Sequence, residues 1–283
     1  MRFSVLTLNL HTWQEDDQLD KFDRIVRYVA EENITSLCLQ ACAQRRDAPL
    51  IHGSDSIRTD NAATIIRSKL QEQGLKYEMV WDFSHRSFGE YDEGSAILTQ
   101  LPILGGCSRF VSAGDDPESV QSRMVVMTRL AVAPNSVIDL YSVHLSPPEH
   151  GLSDQIDSLL GFVEETPQIL ESMKPPPPRR RGAPRKRVVP EEPVVSTRLV
   201  CLAGDLNAEP DDVAKTFASR NYLEASSSAR NGDSSTGTFI DGRWIDYVFI
   251  RPALRPQNAR VVFSSEDAPR VSDHHAVAVE FEV

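Results

Sequence analysis

Hydrophobic and polar positions alternate along most of this chain with the two periods that predict strands and helices. Alternating or uniformly apolar runs predict strands at Arg2 to Asn9, Ile34 to Gln40, Tyr77 to Asp82, Ser95 to Thr99, Ser122 to Val132, Val137 to Leu145, Leu199 to Ala203, Trp244 to Ile250 and Ala276 to Val283. Apolar residues spaced three and four apart predict helices at Asp17 to Asn33, Thr59 to Gln73, Gly151 to Ser172 and Asp211 to Ser219. Pro167 is expected to end or kink the third helix. One long interruption of the pattern begins after Ser172.

This interruption, Met173 to Val195, has a composition that cannot form a core. It contains seven prolines, and six of the nine residues from Arg179 to Arg187 are basic. We predict an exposed, disordered or polyproline insertion that is dispensable for folding, with a nucleic-acid or protein contact as the alternative role. Residues 1–283 are expected to form one domain around the insertion at 173–195, since the motifs described below occur at both ends of the chain.

The charge balance argues against a polyanionic partner. The chain has 30 basic and 41 acidic residues, which gives a net charge of −11. Without Met173 to Val195, 23 basic and 39 acidic residues remain, a net charge of −16. A body this acidic gains little non-specific attraction to nucleic acid, although a local basic groove is compatible with it. We therefore expect nucleic acid to be a less favoured partner than a small molecule.

The four cysteines indicate a reducing compartment. Cys38, Cys42, Cys107 and Cys201 lie in or beside strand-like runs, and no second Cys/His pair completes a zinc site. Buried free thiols are the expected state. We find no signal peptide and no apolar run long enough to span a membrane. The sequence thus predicts a soluble, cytoplasmic monomer without a membrane partner.

The candidate chemistry is concentrated after the strand Leu199 to Ala203. Gly204 ends this strand, and Asp205 and Asn207 follow two residues apart. In extended chain that spacing places both side chains on one side, where they can hold a water, a hard metal ion or a phosphate oxygen. The alternative is an Asx turn that caps the helix beginning near Pro210. This stretch alone supports the two interpretations about equally.

Five short motifs, spread over the whole length, decide between the two. They are Leu6 to Leu10, Ser142 to Leu145, Gly204 to Asn207, Trp244 to Tyr247 and Ser272 to His274. In this order they resemble the motifs of the endonuclease/exonuclease/phosphatase superfamily. The resemblance implies an α/β fold, a four-layered two-sheet sandwich of the deoxyribonuclease I type with outer helices. It also implies metal-assisted attack of water on a phosphoester, with Mg²⁺ or Mn²⁺ as the cofactor.

The resemblance assigns catalytic roles to two groups of residues near the carboxyl end of the chain. Asp205 would orient or deprotonate the attacking water, and Asn207 would support the water and a phosphate oxygen. His274, held by Asp246, would contact the scissile phosphate. Asp246 lies in an apolar run, where a carboxylate needs a partner to offset its desolvation. We therefore predict a hydrogen bond between Asp246 and His274.

A second histidine is expected to act with a glutamate. The Tyr91-Asp-Glu-Gly stretch matches the family position where a glutamate orients a catalytic histidine, which here would be Glu93 and His144. By resemblance, His144 would stabilise developing charge or protonate the leaving oxygen. His85, Tyr91 and Arg123 are the candidate substrate-binding residues.

The metal ligands show one departure from the family pattern. The family has Leu-Gln-Glu where this chain reads Leu39-Gln40-Ala41, and that Glu is the principal metal ligand. By resemblance, Asn9 and Asp273 would complete the metal surroundings, with Ala41 at the remaining position. Alanine has no oxygen to offer, so we expect poor metal binding and impaired catalysis. A substitution in an otherwise intact site is the favoured explanation, and a non-catalytic protein that binds phosphorylated ligands is the alternative.

The substrate class follows from a further resemblance. The opening stretch Leu6 to Trp13 and the segment His85 to Gly94 look most like the bacterial sugar-phosphate phosphatases, such as maltose 6′-phosphate phosphatase. Together with the acidic body, this predicts a small phosphomonoester substrate. Hydrolysis of DNA or RNA phosphodiesters is the alternative, and the basic run Arg179 to Arg187 is its best support.

Overall fold

The computed structural model describes residues 2–174, 197–230, 237–251, 256–266 and 268–283. The insertion expected at 173–195 lies almost entirely outside these residues, so its exposure and dispensability stay predictions. Within the described ranges, no helix combines the length and the hydropathy needed to cross a bilayer.

Two six-stranded sheets form the body of the described chain. Their strands are β1 (Arg2–Asn9), β2 (Ser36–Arg45), β3 (Glu78–Ser87), β4 (Tyr91–Thr99), β5 (Ile103–Phe110), β6 (Met124–Ala133), β7 (Ser136–His144), β8 (Thr197–Asp205), β9 (Leu223–Glu224), β10 (Asp246–Arg251), β11 (Pro256–Val262) and β12 (Ala276–Glu282). The strand order is β11-β12-β1-β2-β4-β3 in the first sheet and β5-β6-β7-β8-β10-β9 in the second. Neighbouring strands are antiparallel except for the parallel pairs β1–β2 and β7–β8.

Helices cover the outer face of each sheet. They are α1 (Gln18–Glu31), α2 (Ala62–Glu72), α3 (Leu152–Met173), α4 (Pro210–Ser219) and α5 (Ser227–Arg230), with a short 3₁₀ helix at Pro148–His150. Phe22 of α1 and Ile66 of α2 pack with Leu8 of β1 in one buried cluster. On the second sheet, Phe217 of α4 stacks on Phe249 of β10 with 4.2 Å between ring centroids. The predicted two-sheet α/β sandwich is thereby confirmed.

The apolar core between the sheets comes from the inward faces of both. Val5 of β1 and Ile97 of β4 join Met127 of β6 and Val143 of β7 in a second buried cluster. These side chains are all fully buried, which accounts for the nearly uniform apolar runs that predicted the strands.

Pro167 lies inside α3, which continues to Met173, so the expectation that it could end this helix is wrong. A proline has no N–H to donate to the carbonyl four residues earlier, which here belongs to Val163. The Nη2 group of Arg198 donates to that carbonyl at 2.9 Å. A side chain from β8 thus replaces the missing helical donor.

Three strands, β5, β9 and β11, were missed, and all three lie at sheet edges, where the alternation of buried and exposed positions is weak. β9 is only two residues long. β5 contains Gly105 and Gly106, and a Cβ atom at Gly106 would lie 2.9 Å from the Met127 carbonyl oxygen. β11 begins at Pro256 and leaves most of its side chains at least partly exposed. Glycine, proline and asparagine are depleted in strands, so neither β5 nor β11 has a strand-like composition.

The strand register brings the predicted site residues to one end of the sandwich. In the parallel pairs, Asn9 lies opposite Gln40 and His144 opposite Asp205. Asp246, at the start of antiparallel β10, lies opposite Asp205 from the other side. The Asn9 amide donates to Asp205 at 3.0 Å and joins the two sheets at this end.

Candidate active site

Asp205 lies at the centre of the candidate site, with only 1% of its surface exposed. Its Oδ2 accepts hydrogen bonds from the side-chain amides of Asn9 at 3.0 Å and Asn207 at 3.3 Å. Burial raises the pKa of Asp205, and the nearby positive charge of His274 partly opposes this effect. The carboxylate is therefore poised to accept a proton more readily than an exposed aspartate.

The stretch with Asp205 and Asn207 forms an Asx turn and also belongs to the candidate site, so both interpretations of it hold. Asp205 Oδ1 accepts the backbone N–H of Asn207 at 2.7 Å, which is the hydrogen bond of an Asx turn. Asn207 takes a positive φ of 51° there and its amide also donates to the Leu145 carbonyl at 2.9 Å. The turn does not cap α4, because the residue before this helix is Glu209, which makes no side-chain capping bond.

His274 carries a positive charge because both of its ring nitrogens face carboxylates. Its Nδ1 donates to Asp246 Oδ2 at 2.9 Å, and its Nε2 lies 3.7 Å from Asp205 Oδ2. Burial alone lowers the pKa of His274, but the Asp246 and Asp205 charges outweigh burial and raise it to about 9. The predicted hydrogen bond between Asp246 and His274 is confirmed.

The surroundings of His144 favour the opposite protonation state, a neutral ring. Its Nε2 accepts a hydrogen bond from Arg123 Nη1 at 3.2 Å, so that nitrogen carries a lone pair. The same nitrogen lies 3.5 Å from Asp205 Oδ2. Burial first, then the charges of Arg123, His85 and His274, keep the pKa of His144 well below its usual value. His144 is therefore neutral at neutral pH.

The predicted pairing of Glu93 with His144 is wrong, because Glu93 contacts a different histidine. In the β3–β4 register Glu93 lies opposite His85, and its Oε1 is 3.4 Å from His85 Nε2. His85 Nδ1 faces the Ser122 carbonyl at 3.2 Å. Burial lowers the pKa of His85, while the Glu93 charge acts to raise it. Both ring neighbours are acceptors, and a neutral ring can donate to only one of them.

The candidate substrate-binding residues are not all equally close to the centre. Arg123 is 9% exposed and joins His144 to Ser146, whose Oγ accepts the Arg123 Nε–H at 3.1 Å. His85 is buried beside Glu93. Tyr91, at the start of β4, pairs with Ser87 and is only half-buried. Arg123 is thus the member of this group that forms a hydrogen bond with His144.

The residues assigned to the metal by resemblance do not fit a hard divalent cation as a set. Ala41 lies at a β-bulge with a φ of 42° and has no ligand atom. Asn9 Oδ1 already accepts the His11 backbone N–H at 3.0 Å. Asp273 Oδ1 accepts the Ser272 hydroxyl at 3.2 Å and lies 3.6 Å from His11 Nδ1. Among these three positions only Asp273 presents a carboxylate, whereas hard cations favour several oxygen ligands.

Sequence reasoning missed two hydroxyl residues that hold the site in place. Thr238 Oγ1 accepts the backbone N–H groups of Ile245 at 2.9 Å and Asp246 at 3.0 Å. Ser146 anchors Arg123 as described above. The position of Ser146, two residues after His144, is a signal that could have identified it. Thr238 lies eight residues before Asp246, in a loop whose path the sequence pattern does not specify.

Comparison with solved structures gives the same fold throughout the chain. An endonuclease/exonuclease/phosphatase family protein from Leptotrichia buccalis is 22% identical, with a TM-score of 0.80 over 99% of this chain and 100% of its own. An endonuclease/exonuclease/phosphatase from Beutenbergia cavernae is 17% identical, with a TM-score of 0.62 over 100% of this chain and 72% of its own. D. rerio TDP2 complexed with a single strand DNA product is 12% identical, with a TM-score of 0.64 over 100% of this chain and 99% of its own.

At these identities the solved structures support the fold alone. A search of curated proteins gave no significant match. The family assignment comes from the sequence itself, since residues 6–274 match the Endonuclease/Exonuclease/phosphatase family. Because this match spans nearly the whole chain, the chain belongs to the endonuclease/exonuclease/phosphatase family.

Proposed function

We propose that this protein is a phosphoesterase that hydrolyses a small phosphomonoester, with sugar phosphates as the candidate class. The observation that carries the proposal is the environment of Arg123. Its side chain is buried, and no carboxylate of the described residues forms an ion pair with it. A buried cation without a counter-ion is unfavourable, so the site favours an anionic ligand.

Arg123 has hydrogen-bonding capacity left for such a ligand. Its Nε donates to Ser146 and its Nη1 to His144, while Nη2 makes no hydrogen bond with the described residues. Burial lowers the pKa of Arg123, and the more distant charges of Glu93 and Asp205 oppose that effect. A planar guanidinium is well suited to phosphate oxygens. Arg123 therefore binds the phosphoryl group in this proposal.

The charge states of the other residues support hydrolysis. Asp205 takes a proton from the attacking water as the new O–P bond forms, and Asn9 and Asn207 hold its carboxylate in place. As the bond to the leaving oxygen breaks, His274 donates its Nε2 proton to that oxygen. The proton on Asp205 then returns to His274 across 3.7 Å, and both groups regain their starting states. Asp246 stabilises the positive form of His274 throughout.

The family's hydrolysis depends on a divalent cation. Such a cation, when bound, polarises the phosphoryl oxygens and neutralises developing charge. Ala41 cannot contribute a ligand, and we propose that the protein with alanine at this position is impaired for that reason. We further propose that the protein acts as a monomer in the cytoplasm. Free buried thiols at Cys38, Cys42 and Cys201 support a reducing location.

Two other functions are compatible with the fold. Hydrolysis of nucleic-acid phosphodiesters is one, and the TDP2 structure with a single strand DNA product shows a protein of the same fold bound to DNA. A non-catalytic protein that binds phosphorylated ligands is the other. The net charge of −11 disfavours the first, and the intact Asp205–His274–Asp246 arrangement disfavours the second.

One experiment separates the three functions. Phosphate release from a panel of sugar phosphates and nicking of plasmid DNA are measured with Mn²⁺ and with Mg²⁺, for the protein with Ala41 and for Ala41→Glu. We expect slow phosphate release from the protein with Ala41, faster release from Ala41→Glu, and little nicking by either. The matched control carries Asp246→Asn in addition and should be inactive.

Each alternative has its own outcome in this experiment. Nicking without phosphate release from any sugar phosphate would establish the nuclease function in place of the proposed one. Absence of both phosphate release and nicking in the two forms would favour the binding function instead.

A further inference from the structure

The hairpin that joins β3 to β4 carries an aromatic side chain at its tip. Phe88 is 75% exposed, the largest exposed fraction among the large hydrophobic side chains of the described residues. Its φ is 53°, and the φ of Gly89 is 70°. Two successive positive φ values are typical of a type I′ turn, for which Asn-Gly is a favoured sequence. A phenylalanine at this position adds backbone strain to the exposure of an apolar ring.

Hydrogen bonds hold this tip in place. The Glu90 N–H donates to the Ser87 carbonyl at 3.2 Å and closes the turn. Arg46, directly after β2, donates its backbone N–H to the Glu90 carbonyl at 2.9 Å and its Nη1 group to the Gly89 carbonyl at 3.1 Å. The exposure of Phe88 is therefore a feature of a well-bonded turn and does not come from a loosely held loop.

The inward face of the same hairpin belongs to the candidate site. His85 lies opposite Glu93 in the strand register. Burial first, and then nearby charges that include His85, keep the pKa of His144 well below its usual value. Phe88 follows His85 by three residues, which in extended chain is about 10 Å. The hairpin tip is thus too far away to contact a phosphoryl group at His144 but is within reach of the organic part of a substrate.

A second exposed apolar side chain lies on the segment bonded to this hairpin. The backbone N–H of Arg86 donates to the Pro117 carbonyl at 2.7 Å, and the Arg86 side chain binds Glu118. Val120, two residues further on, is 53% exposed, and the segment then leads to Arg123. Exposed apolar side chains therefore occur on both segments that extend outward from the site.

We propose that Phe88 is a specificity-determining residue that packs on the organic part of the phosphomonoester. The substrate class that fits is a phosphorylated glycoside whose apolar aglycone extends beyond the phosphorylated sugar ring. An aromatic side chain offers a large, rigid apolar surface, and covering it with the aglycone removes that surface from water. The inference rests on the proposed function, since it takes Arg123 as the contact of the phosphoryl group.

The test compares ligands that share a phosphoryl group and differ in length. Dissociation constants for inorganic phosphate, glucose 6-phosphate and phenyl glucoside 6-phosphate are measured by calorimetric titration without added metal, so that turnover does not consume the ligand. The proteins are the full chain, Phe88→Asn and Phe88→Tyr. Leu104→Thr is the matched control, because Leu104 is 58% exposed and lies at the far end of β5 from the pair formed by Phe110 and Met124.

Phe88→Asn should be folded and more stable in urea than the full chain, because it gives the turn an Asn-Gly sequence. Its dissociation constant for phenyl glucoside 6-phosphate should nevertheless rise about tenfold, whereas those for phosphate and glucose 6-phosphate should change by less than about twofold. Phe88→Tyr keeps the ring and should retain the affinity of the full chain for all three ligands. Leu104→Thr should retain it as well.

Two results would overturn the inference and leave the proposed function standing. One is equal affinity of the full chain and Phe88→Asn for phenyl glucoside 6-phosphate, and the other is equal affinity of the full chain for the two sugar phosphates. Failure of the full chain to bind phosphate or either sugar phosphate would refute the proposed function and the inference with it. Unchanged ligand affinities together with a dimer that Phe88→Asn converts to a monomer in sedimentation would assign Phe88 to a subunit interface.

Discussion

Two histidines contact the same carboxylate, and their other neighbours give the two rings opposite charges. His274 donates to Asp246 and faces Asp205, so its proton is stabilised on both sides. His144 accepts a hydrogen bond from Arg123, so the nitrogen that faces Asp205 has no proton to give. Environments that separate the pKa values of paired groups in this way assign their acid and base roles. His274 is therefore the group able to protonate a leaving oxygen at neutral pH.

The depressed pKa of His144 should make the protein less stable in acid. In the unfolded chain this histidine takes up a proton near pH 6.5, whereas the folded protein excludes it, so stability falls as the pH drops below about 6.5. The contribution is at most about 1.4 kcal/mol per pH unit. We expect the unfolding free energy, measured with urea at several pH values from neutral to mildly acidic, to depend less on pH in His144→Gln. The exposed His150→Gln should keep the slope of the unchanged protein; equal slopes in all three proteins would contradict this prediction.

Arg123 should control both phosphate binding and the state of His144. Arg123→Met removes the buried cation, so we expect the dissociation constant for inorganic phosphate to rise about tenfold or more. Arg123→Lys keeps the charge but lacks the planar guanidinium. Its dissociation constant for phosphate should therefore lie between those of the unchanged protein and Arg123→Met. Loss of the Arg123 charge should also raise the pKa of His144, which an NMR titration measures. Arg109→Met, a partly exposed control, should change neither quantity. Unchanged phosphate affinity in Arg123→Met would show that Arg123 is structural.

At the scale of strands and helices, burial made some contacts predictable and register made others unpredictable. The Asp246–His274 bond was predictable because a carboxylate in an apolar strand requires a partner. The partner of Glu93 was not predictable, because a register shift between Phe83 and His85 in β3 decides which side chain lies opposite Glu93. Nor did the sequence indicate the bulge at Ala41, since a non-glycine residue with positive φ has no sequence signal here.

Arg198 replaces the backbone donor that Pro167 removes from α3, and this contact can be tested by mutation. Arg198 donates to the Val163 carbonyl that Pro167 leaves free, and it also binds the fully buried Asp139 carboxylate at 2.6 Å. Arg129 keeps the Asp139 carboxylate paired, so Arg198→Met should reduce the unfolding free energy by about 1 to 2 kcal/mol. Pro167→Ala restores a helical N–H donor for Val163, so adding it to Arg198→Met should recover about 1 kcal/mol. Urea unfolding of the two single variants and the double variant measures this coupling, and strictly additive effects would show that Arg198 does not replace the helical donor.

At the scale of the whole molecule, polar contacts across the sandwich fix how the two sheets meet. Gln40 of the first sheet donates to Ser142 of the second at 3.0 Å and accepts from Thr7 at 3.2 Å. Asn9 and Asp205 form the next such contact toward the site. The order of motifs along the chain predicted that these strands belong to one sandwich. It did not predict the Glu15 position, because the loop that carries Glu15 is placed by contacts with Asp273 from the far end of the chain.

The net charge of the whole molecule predicts which class of substrate it can concentrate. At −11, the chain repels an extended polyanion over its surface, whereas a small phosphate needs only the local field of Arg123 and His274. We expect short single-stranded DNA to bind with a dissociation constant weaker than about 100 μM at physiological salt, as measured by fluorescence anisotropy. Inorganic phosphate binding should change little with added NaCl, because a buried guanidinium is screened less than a surface charge. Binding of DNA near 1 μM, with a steep loss of affinity on adding salt, would instead reveal a basic groove that overrides the net charge and would favour the nuclease function.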